Sequence, residues 1–276
     1  MELPPGMRYE RFAPAHALAD YIEHLWIIDA EVGPITRHEI LVPNGRPVIL
    51  VNLKDPGVRI DPQTGKSTIN QSAVSGIATR PVIIGQARHS RLVAAQPTPF
   101  GLRALDAPLA VDSTVPIAEW LGDHEADTLI SALAKSAFGE NAARHLEAAL
   151  LSRLRPLPSV ALARLQHAIA HIEALGGDIE VAALARELGT GYDLLYRDFR
   201  RNLGISPKTF IAIVRYQNHI GQLLSGVAGD GLAQLALMQG YYDQAHANRD
   251  FRRFTGVSPT RFRETLNGIA KMMHGF

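Results

Sequence analysis

Two rhythms of apolar residues divide the chain: helical spacing in roughly its last 120 residues, and short runs broken by Pro, Gly and Asn in its first hundred or so. Val181, Leu184, Ala185 and Leu188 stand at i, i+3, i+4 and i+7, one stripe of a helix, and Gly189 follows as a helix stop. In the next helix Leu195 and Phe199 share the buried face, which turns Tyr192, Asp193, Tyr196, Arg197 and Arg200 outward. Ser206-Pro207 then supplies an N-cap and a first-turn proline. Beyond it, Phe210, Ile213, Val214, Gln217, Ile220 and Leu224 predict one long amphipathic helix over 207–225.

The same punctuation recurs 52 positions later. Arg197-Asp198-Phe199-Arg200-Arg201, followed by Gly204, Ser206-Pro207 and Phe210, reappears as Arg249-Asp250-Phe251-Arg252-Arg253, followed by Gly256, Ser258-Pro259 and Phe262. Upstream, an alanine-rich helical pattern ending in glycine recurs 51 positions on, so the second turn is one residue longer. In the second copy Asp243 can cap the helix and Ala247 and Phe251 take the buried positions. Gln244, Ala245, His246, Asn248, Arg249 and Arg252 are then left for exposure. A single hairpin with outward Arg, Gln and Asn is more often a solvated face than a DNA reader. Two copies joined by a stiff helix can place both second helices in successive major-groove segments, about 34 Å apart.

At these residues the chain resembles the AraC/XylS family of transcription regulators, whose DNA-binding domain is a pair of helix-turn-helix units joined by a linker helix. The segment Gly240-Tyr241-Tyr242-Asp243-Gln244-Ala245-His246-Ala247-Asn248-Arg249-Asp250-Phe251, continuing to Ser258-Pro259, is similar to that family's signature, and the resemblance covers about 160–266. It implies base-reading roles for Asp193, Tyr196 and Arg197 in the first unit and for Gln244, Ala245, His246, Asn248 and Arg249 in the second. Tyr192, Arg200, Arg201, Lys208, Arg252, Arg253 and Arg261 are the expected phosphate contacts. Three residues depart from the pattern: Gly191 where serine usually starts the first reading helix, Ala247 for a larger apolar residue, and His219 for a small one on the linker helix. Glycine caps without a side-chain acceptor. Alanine in place of leucine removes about 2–5 kcal/mol of packing unless a neighbour compensates.

Ahead of these units, runs at Glu39–Val42, Val48–Asn52, Val58–Ile60, Ala73–Ile77, Val82–Ile84, Leu92–Gln96 and Gly101–Leu105 predict strands of a small antiparallel β-barrel over 9–105. Helices are expected at Ile117–Gly122, Asp127–Phe138 and Asn141–Leu154. Leu41-Val42-Pro43-Asn44-Gly45-Arg46 and Phe100-Gly101-Leu102-Arg103 also resemble a cupin-like sensing domain. The fold class is therefore α+β. Residues 1–155 form the expected sensing or dimerising domain, and 159–276 an all-α tandem helix-turn-helix domain. For the sensing role, Trp26, Arg46, Asn52, Arg88, His89 and Arg103 are the candidate effector residues.

Composition changes this picture little. A length of 276 residues favours two domains. The net charge of +1 divides into +3 from Ser159 onward (13 Lys/Arg less 10 Asp/Glu) and −2 before it (15 less 17). That split permits nucleic-acid binding without indicating it. The absence of cysteine excludes disulfides and thiolate chemistry. With no apolar stretch near 20 residues and no basic-then-apolar start, the expected compartment is the cytoplasm, without membrane contact.

A cupin-like barrel raises a rival, a metal-dependent enzyme with an appended DNA-binding module. The scattered histidines His16, His24, His38, His89, His124 and His145 form no His-x-His pair, and His167 and His171, at i, i+4, lack an evident acidic third ligand. No catalytic residue, metal or cofactor is expected. The expected partners are double-stranded DNA and an unidentified small effector, with RNA polymerase and a second copy as further candidates. A ligand-independent DNA-binding or partner-binding protein is the third reading.

Overall fold

The front half is organised around two central strands that bury both of their faces. The computed structural model describes residues 6–31, 38–85, 87–224 and 256. Strand β1 (Met7–Phe12) pairs antiparallel with β2 (Ile22–Glu31), on which alternate residues serve two separate cores. Ile22, Leu25 and Ile27 enter one, while Trp26, Ile28 and Ala30 enter the other with Met7 and Ala94. Alternation is hard to see in such a strand, because nearly every position is apolar.

Further strands are β3 (His38–Leu41), β4 (Val48–Asn52), β5 (Gly57–Ile60), β6 (Ser67–Asn70), β7 (Ala73–Ser75), β8 (Val82–Gly85), β9 (His89–Pro97) and β10 (Thr114–Pro116). They assemble as a six-stranded sheet in the order β1-β2-β9-β4-β7-β10 and a four-stranded sheet in the order β3-β8-β5-β6. Every described pairing is antiparallel. The α+β class expected from the sequence holds, with antiparallel β structure in front and helices behind.

One face of the larger sheet is covered by α2 (Ile117–Leu121), α3 (Asp123–Lys135) and α4 (Glu140–Arg153), through Trp120, Leu129, Leu133, Leu146 and Leu150 among others. The run Gly101–Leu105, expected as a strand, is instead the short helix α1 (Gly101–Ala104). The chain turns as Gly101 N donates to Thr98 O at 2.9 Å, and a Cβ at Gly101 would lie 2.1 Å from Tyr21 O. That close backbone approach, and not a ladder, is what the glycine serves.

Helices α5 (Ser159–Ala174), α6 (Val181–Glu187), α7 (Tyr192–Leu203) and α8 (Pro207–Leu224) follow. Their core is shared with the front half. Tyr21, Ile40, Val42, Ile77 and Phe100 lie in the same buried cluster as Leu184, Leu195, Phe199, Phe210 and Ile213. Phe210, fully buried, meets Phe199 edge-on at 5.9 Å between ring centroids. On its other side a Cβ at Gly45 would lie only 2.9 Å from the Phe210 ring, so the Asn44-Gly45 turn, at φ +74°, presses backbone against it.

Polar links run beside this seam. Arg46 Nε donates to Glu23 Oε1 at 2.5 Å and its terminal nitrogen reaches Glu173 Oε1 at 2.7 Å. Burial works against the Arg46 charge, but the two carboxylates outweigh it and hold the guanidinium above its ordinary value. Gln166 Nε2 donates to Asp20 Oδ1 at 3.0 Å, Leu157 N donates to the Tyr21 hydroxyl at 3.1 Å, and Gln217 Nε2 donates to Pro43 O.

Two predictions follow from this packing. Phe210→Ala should lower the unfolding free energy by about 3–5 kcal/mol in denaturant titrations followed by circular dichroism; a loss below about 1 kcal/mol would remove Phe210 from the centre of the seam. On β2, burial and then the neighbouring Arg11 lower His24 from 6.5 to about 4, and Arg11 lies 3.0 Å from its Nδ1. The unfolded chain binds the proton more readily, so this group's contribution is present above pH 6.5 and is lost as pH falls toward 4. The urea midpoint of the protein should drop across that window, and His24→Gln should flatten the drop.

Candidate nucleic-acid interface

The first helix-turn-helix unit has the local structure that its residues dictate. Leu184 and Ala185 of α6 are buried, and Gly189 reverses the chain at φ +61°. Helix α7 starts at Gly191, whose φ of −74° and ψ of 146° are ordinary for a cap, with no side-chain hydrogen bond to the helix N–H groups. It ends on Gly204, left-handed at φ +79°. Ser206 Oγ then accepts from Thr209 N at 3.1 Å, and Pro207 opens α8. The described end of α8, Leu224, is one residue short of the expected boundary.

Helix α7 is divided sharply between two faces. Leu195, Phe199, Asn202 and Leu203 are buried, whereas Tyr192, Asp193, Tyr196, Arg197, Arg200 and Arg201 are exposed, as is Lys208 in the first turn of α8. Tyr192 and Tyr196 are 53% and 40% exposed, although aromatic rings ordinarily seek burial. They stack on each other at 6.3 Å with an interplanar angle of 16°. The face therefore offers two phenol rings beside three guanidiniums, and Asp193 is its acidic residue, in the helix's first turn. Arg197 Nε lies 3.3 Å from Asp193 O, and Arg200 donates to Gly204 O at 3.0 Å. Both are exposed and keep further N–H donors for a ligand.

Behind this face sit polar groups that the sequence reading did not weigh. Asp198 accepts from Arg164 Nε at 2.5 Å, with 13% and 22% of the two side chains exposed, which ties α7 to α5. Arg215 donates twice to Gly177 O, at 2.9 and 3.0 Å, fixing α8 against the end of α5. A Cβ at Gly177 would lie 2.7 Å from Ile211 O. The adjacent glycines Gly176-Gly177 were the available signal, since close backbone packing needs that residue type. Glu187, not considered as a partner of His171, lies 2.5 Å from its Nε2, because α6 folds back on α5. His167 is exposed.

The candidate effector residues are spread over several elements. Trp26 is buried in the core with Met7, Ile28 and Ala94. Arg46 is engaged by Glu23 and Glu173, and Arg103 lies 3.8 Å from Asp106. The Asn52 amide lies 3.3 Å from Asn70 O while its oxygen accepts from Lys54 N. Arg88 and His89 are exposed at the start of β9. Gln244, Ala245, His246, Asn248, Arg249, Arg252, Arg253, Arg261, Ala247 and the side chain of His219 lie outside the described residues.

Comparison with known proteins bears on both halves. The family model described as a helix-turn-helix domain matches residues 184–265, and the one described as a domain of unknown function (DUF6597) matches residues 10–110. Among solved structures, ToxT from Vibrio cholerae O395 is 11% identical, with 96% of this chain and 100% of that chain covered at a TM-score of 0.44. A ToxT from V. cholerae strain SCE256, bound to an unsaturated fatty acid, is also 11% identical, with 97% and 98% covered at 0.44. The C-terminal domain of AraT, a response regulator from Geobacillus stearothermophilus, is 24% identical, with 40% of this chain and 88% of that chain covered at 0.33. No curated protein matches the chain.

The bare cap of α7 yields a prediction. Gly191 has extended φ and ψ, and a Cβ there would meet nothing within 4 Å. Gly191→Ser should therefore add the missing acceptor and restrict the unfolded chain, raising stability by about 0.5–1 kcal/mol. A fall in the denaturation midpoint would show that the cap geometry is wrong.

Proposed function

The chain carries a helix-turn-helix domain of the AraC type over residues 184–265, and from that premise we propose that it is a sequence-specific transcription regulator controlled by a small effector at its front domain. The observation that carries the reading is the exposed face of α7, where Tyr192, Tyr196, Arg197, Arg200 and Arg201 surround no core. Arg197 reads a guanine edge, Asp193 accepts from cytosine, and Tyr196 packs on the groove floor. Tyr192, Arg200, Arg201 and Lys208 hold phosphates. In the second unit Gln244 and Asn248 read adenine and Arg249 reads guanine, with Ala245 and His246 beside them, while Arg252, Arg253 and Arg261 hold phosphates.

Residues 1–155 form the sensing unit in this reading and 159–276 the DNA-binding unit. The shared core and the Arg46 links support the coupling, because a change in the front half is felt where α7 and α8 are seated. The protein acts in the cytoplasm, without a catalytic step of its own, and a second copy and RNA polymerase are its further partners. Among the described residues no helix is long and apolar enough to cross a membrane.

Footprinting on DNA selected from a random pool tests the assignment. Arg197→Ala should weaken the selected site by about 1–3 kcal/mol and relax preference at one base pair. Lys208→Ala should weaken all sequences alike and reduce the slope of log affinity against log salt by about one. Unchanged affinity and preference in Arg197→Ala would overturn the reading role of α7.

A further inference from the structure

A cavity of about 330 Å³ opens between the hairpin of β5 and β6, the start of β8 and the segment preceding β10. Arg59, Lys66, Thr68, Val82, Asp112 and Ser113 are among its walls. The strand register explains this set. Arg59 pairs with Thr68 on one side and Ile84 on the other, so Arg59, Thr68 and Val82 share one face of the smaller sheet. The other face carries Ile40 and Ile83, which pack toward the helical half. None of the six effector residues expected from the sequence lines this cavity.

Arg59 is the anomaly in it. Other partly buried arginines have partners: Arg46 two glutamates, Arg164 Asp198 and Arg215 Gly177 O. Among the described residues no hydrogen bond or ion pair joins Arg59, and burial pushes its guanidinium below the ordinary value with nothing to offset it. The two acids in the wall are already engaged. Asp112 accepts from Thr79 N and Thr79 Oγ1, both at 2.6 Å, and lies 3.7 Å from Arg80 Nε. Asp61 accepts from Gln63 N at 2.8 Å and Thr64 N at 3.3 Å. A partly buried guanidinium with no counter-charge among the described residues keeps its N–H donors free on the cavity wall, where a ligand can supply the charge.

We propose that this cavity binds a small organic anion, whose carboxylate or phosphate group is held by Arg59 with Lys66, while Thr68 and Ser113 offer hydroxyls to its polar body. Its volume, at the low end for ligand pockets, suits a compact molecule. This rests on the reading of the front half as an effector domain and names the effector's chemistry and place.

The position of the cavity supplies a route to the DNA-binding units. Val111, next to wall residue Asp112, approaches Gly204 so closely that a Cβ there would lie 2.7 Å from Val111 Cγ2. Pro81, also in the wall, lies 3.6 Å from a Cβ placed on Gly256, and Pro62 lies 3.4 Å from it. Gly204 and Gly256 are the same position of the internal repeat, 52 residues apart. One residue of the cavity wall and one beside it thus approach matched positions of the internal repeat. The rim near Gly204 holds unusual backbone, with Ala110 at φ +34° and Asp112 at φ +55°, and the hydrogen bonds of Asp112 keep it there. A bound anion that draws on Arg59 and Arg80 changes the setting of that rim.

The test uses the full-length protein at constant ionic strength, with citrate as the carboxylate probe, inorganic phosphate as the phosphate probe and glycerol as the uncharged control. Calorimetry and melting curves are read for wild type, Arg59→Gln, Arg59→Lys and Arg197→Ala. Citrate or phosphate should bind and raise the wild-type Tm, and glycerol should do neither; which probe binds tells a carboxylate site from a phosphate site. Arg59→Gln should weaken binding by about tenfold or more, with Arg59→Lys in between and Arg197→Ala unchanged. Removing an uncompensated charge should leave ligand-free Arg59→Gln at least as stable as wild type, whereas a structural arginine would lower its Tm.

No anion binding by wild type overturns the site. So does binding that survives Arg59→Gln, or that is lost in Arg197→Ala and so belongs to the DNA face. The same probes are then added to complexes with the selected DNA. Arg59-dependent binding that leaves DNA affinity unchanged keeps the anion site and ends the effector reading. Arg59-dependent binding that shifts DNA affinity supports both.

Discussion

The edge-to-face contact between Phe199 and Phe210 is the constraint on which the arrangement of this protein turns. Phe199 is on the buried side of α7, Phe210 is the first large anchor of α8, and the Asn44-Gly45 turn closes over the second ring. Three parts of the chain that are far apart in sequence therefore meet in one dry contact. Because core packing is dense, none of them can shift by more than a few tenths of an ångström without a neighbour giving way. The outward tilt of Tyr196, Arg197 and Arg200 is set from behind, by where Leu195 and Phe199 are seated. An exposed face with few partners of its own is held in a defined orientation in this way.

Around that shared apolar core, polar links also join the front and rear halves. Arg46 with Glu23 and Glu173, Gln166 with Asp20, and Gln217 with Pro43 O each replace water partners with protein partners at modest net gain. The two kinds of contact respond differently to a perturbation. Apolar packing over Phe210 is lost steeply once a gap opens, whereas a hydrogen-bonded rim can be re-formed in a second register. The structure thus places a stiff pivot at Phe199 and Phe210 and adjustable contacts at its edge, a division suited to moving helices as rigid pieces.

How far the sequence could be read varied with how local the cause was. Helix α7, its bare Gly191 cap, its glycine stop at Gly204 and the Ser206-Pro207 start of α8 depend on residues within one or two turns, and all were legible in spacing and residue type. Strand β4 was matched to the residue because its apolar run is bounded by turn residues. Helix α1 was misread as a strand, since Gly101 answers to the backbone of Tyr21, 80 positions earlier in sequence. The same limit hid the role of Arg46. Its charge was visible, but Glu173 reaches it only after α5 has docked on the front half. Arg59 was the least legible of all. Its meaning lies in having no partner among the described residues, and no spacing rule reports that.

The internal repeat carries a constraint that its motif does not announce. Glycine at a helix end is usually explained by the left-handed cap alone; Gly204, which ends α7 at φ +79°, meets that need, and Gly256 is left-handed too, at φ +73°. Asparagine tolerates the same backbone, so the cap does not by itself demand glycine. The surroundings of Gly204 add the stricter condition. Any side chain there would enter the space of Val111 Cγ2, at 2.7 Å, and push the front-half segment off the helix end. At Gly256, described atoms of Pro62 and Pro81 stand 3.4 to 3.6 Å from where a Cβ would lie. The first glycine is therefore both a helix stop and a docking point for the front half.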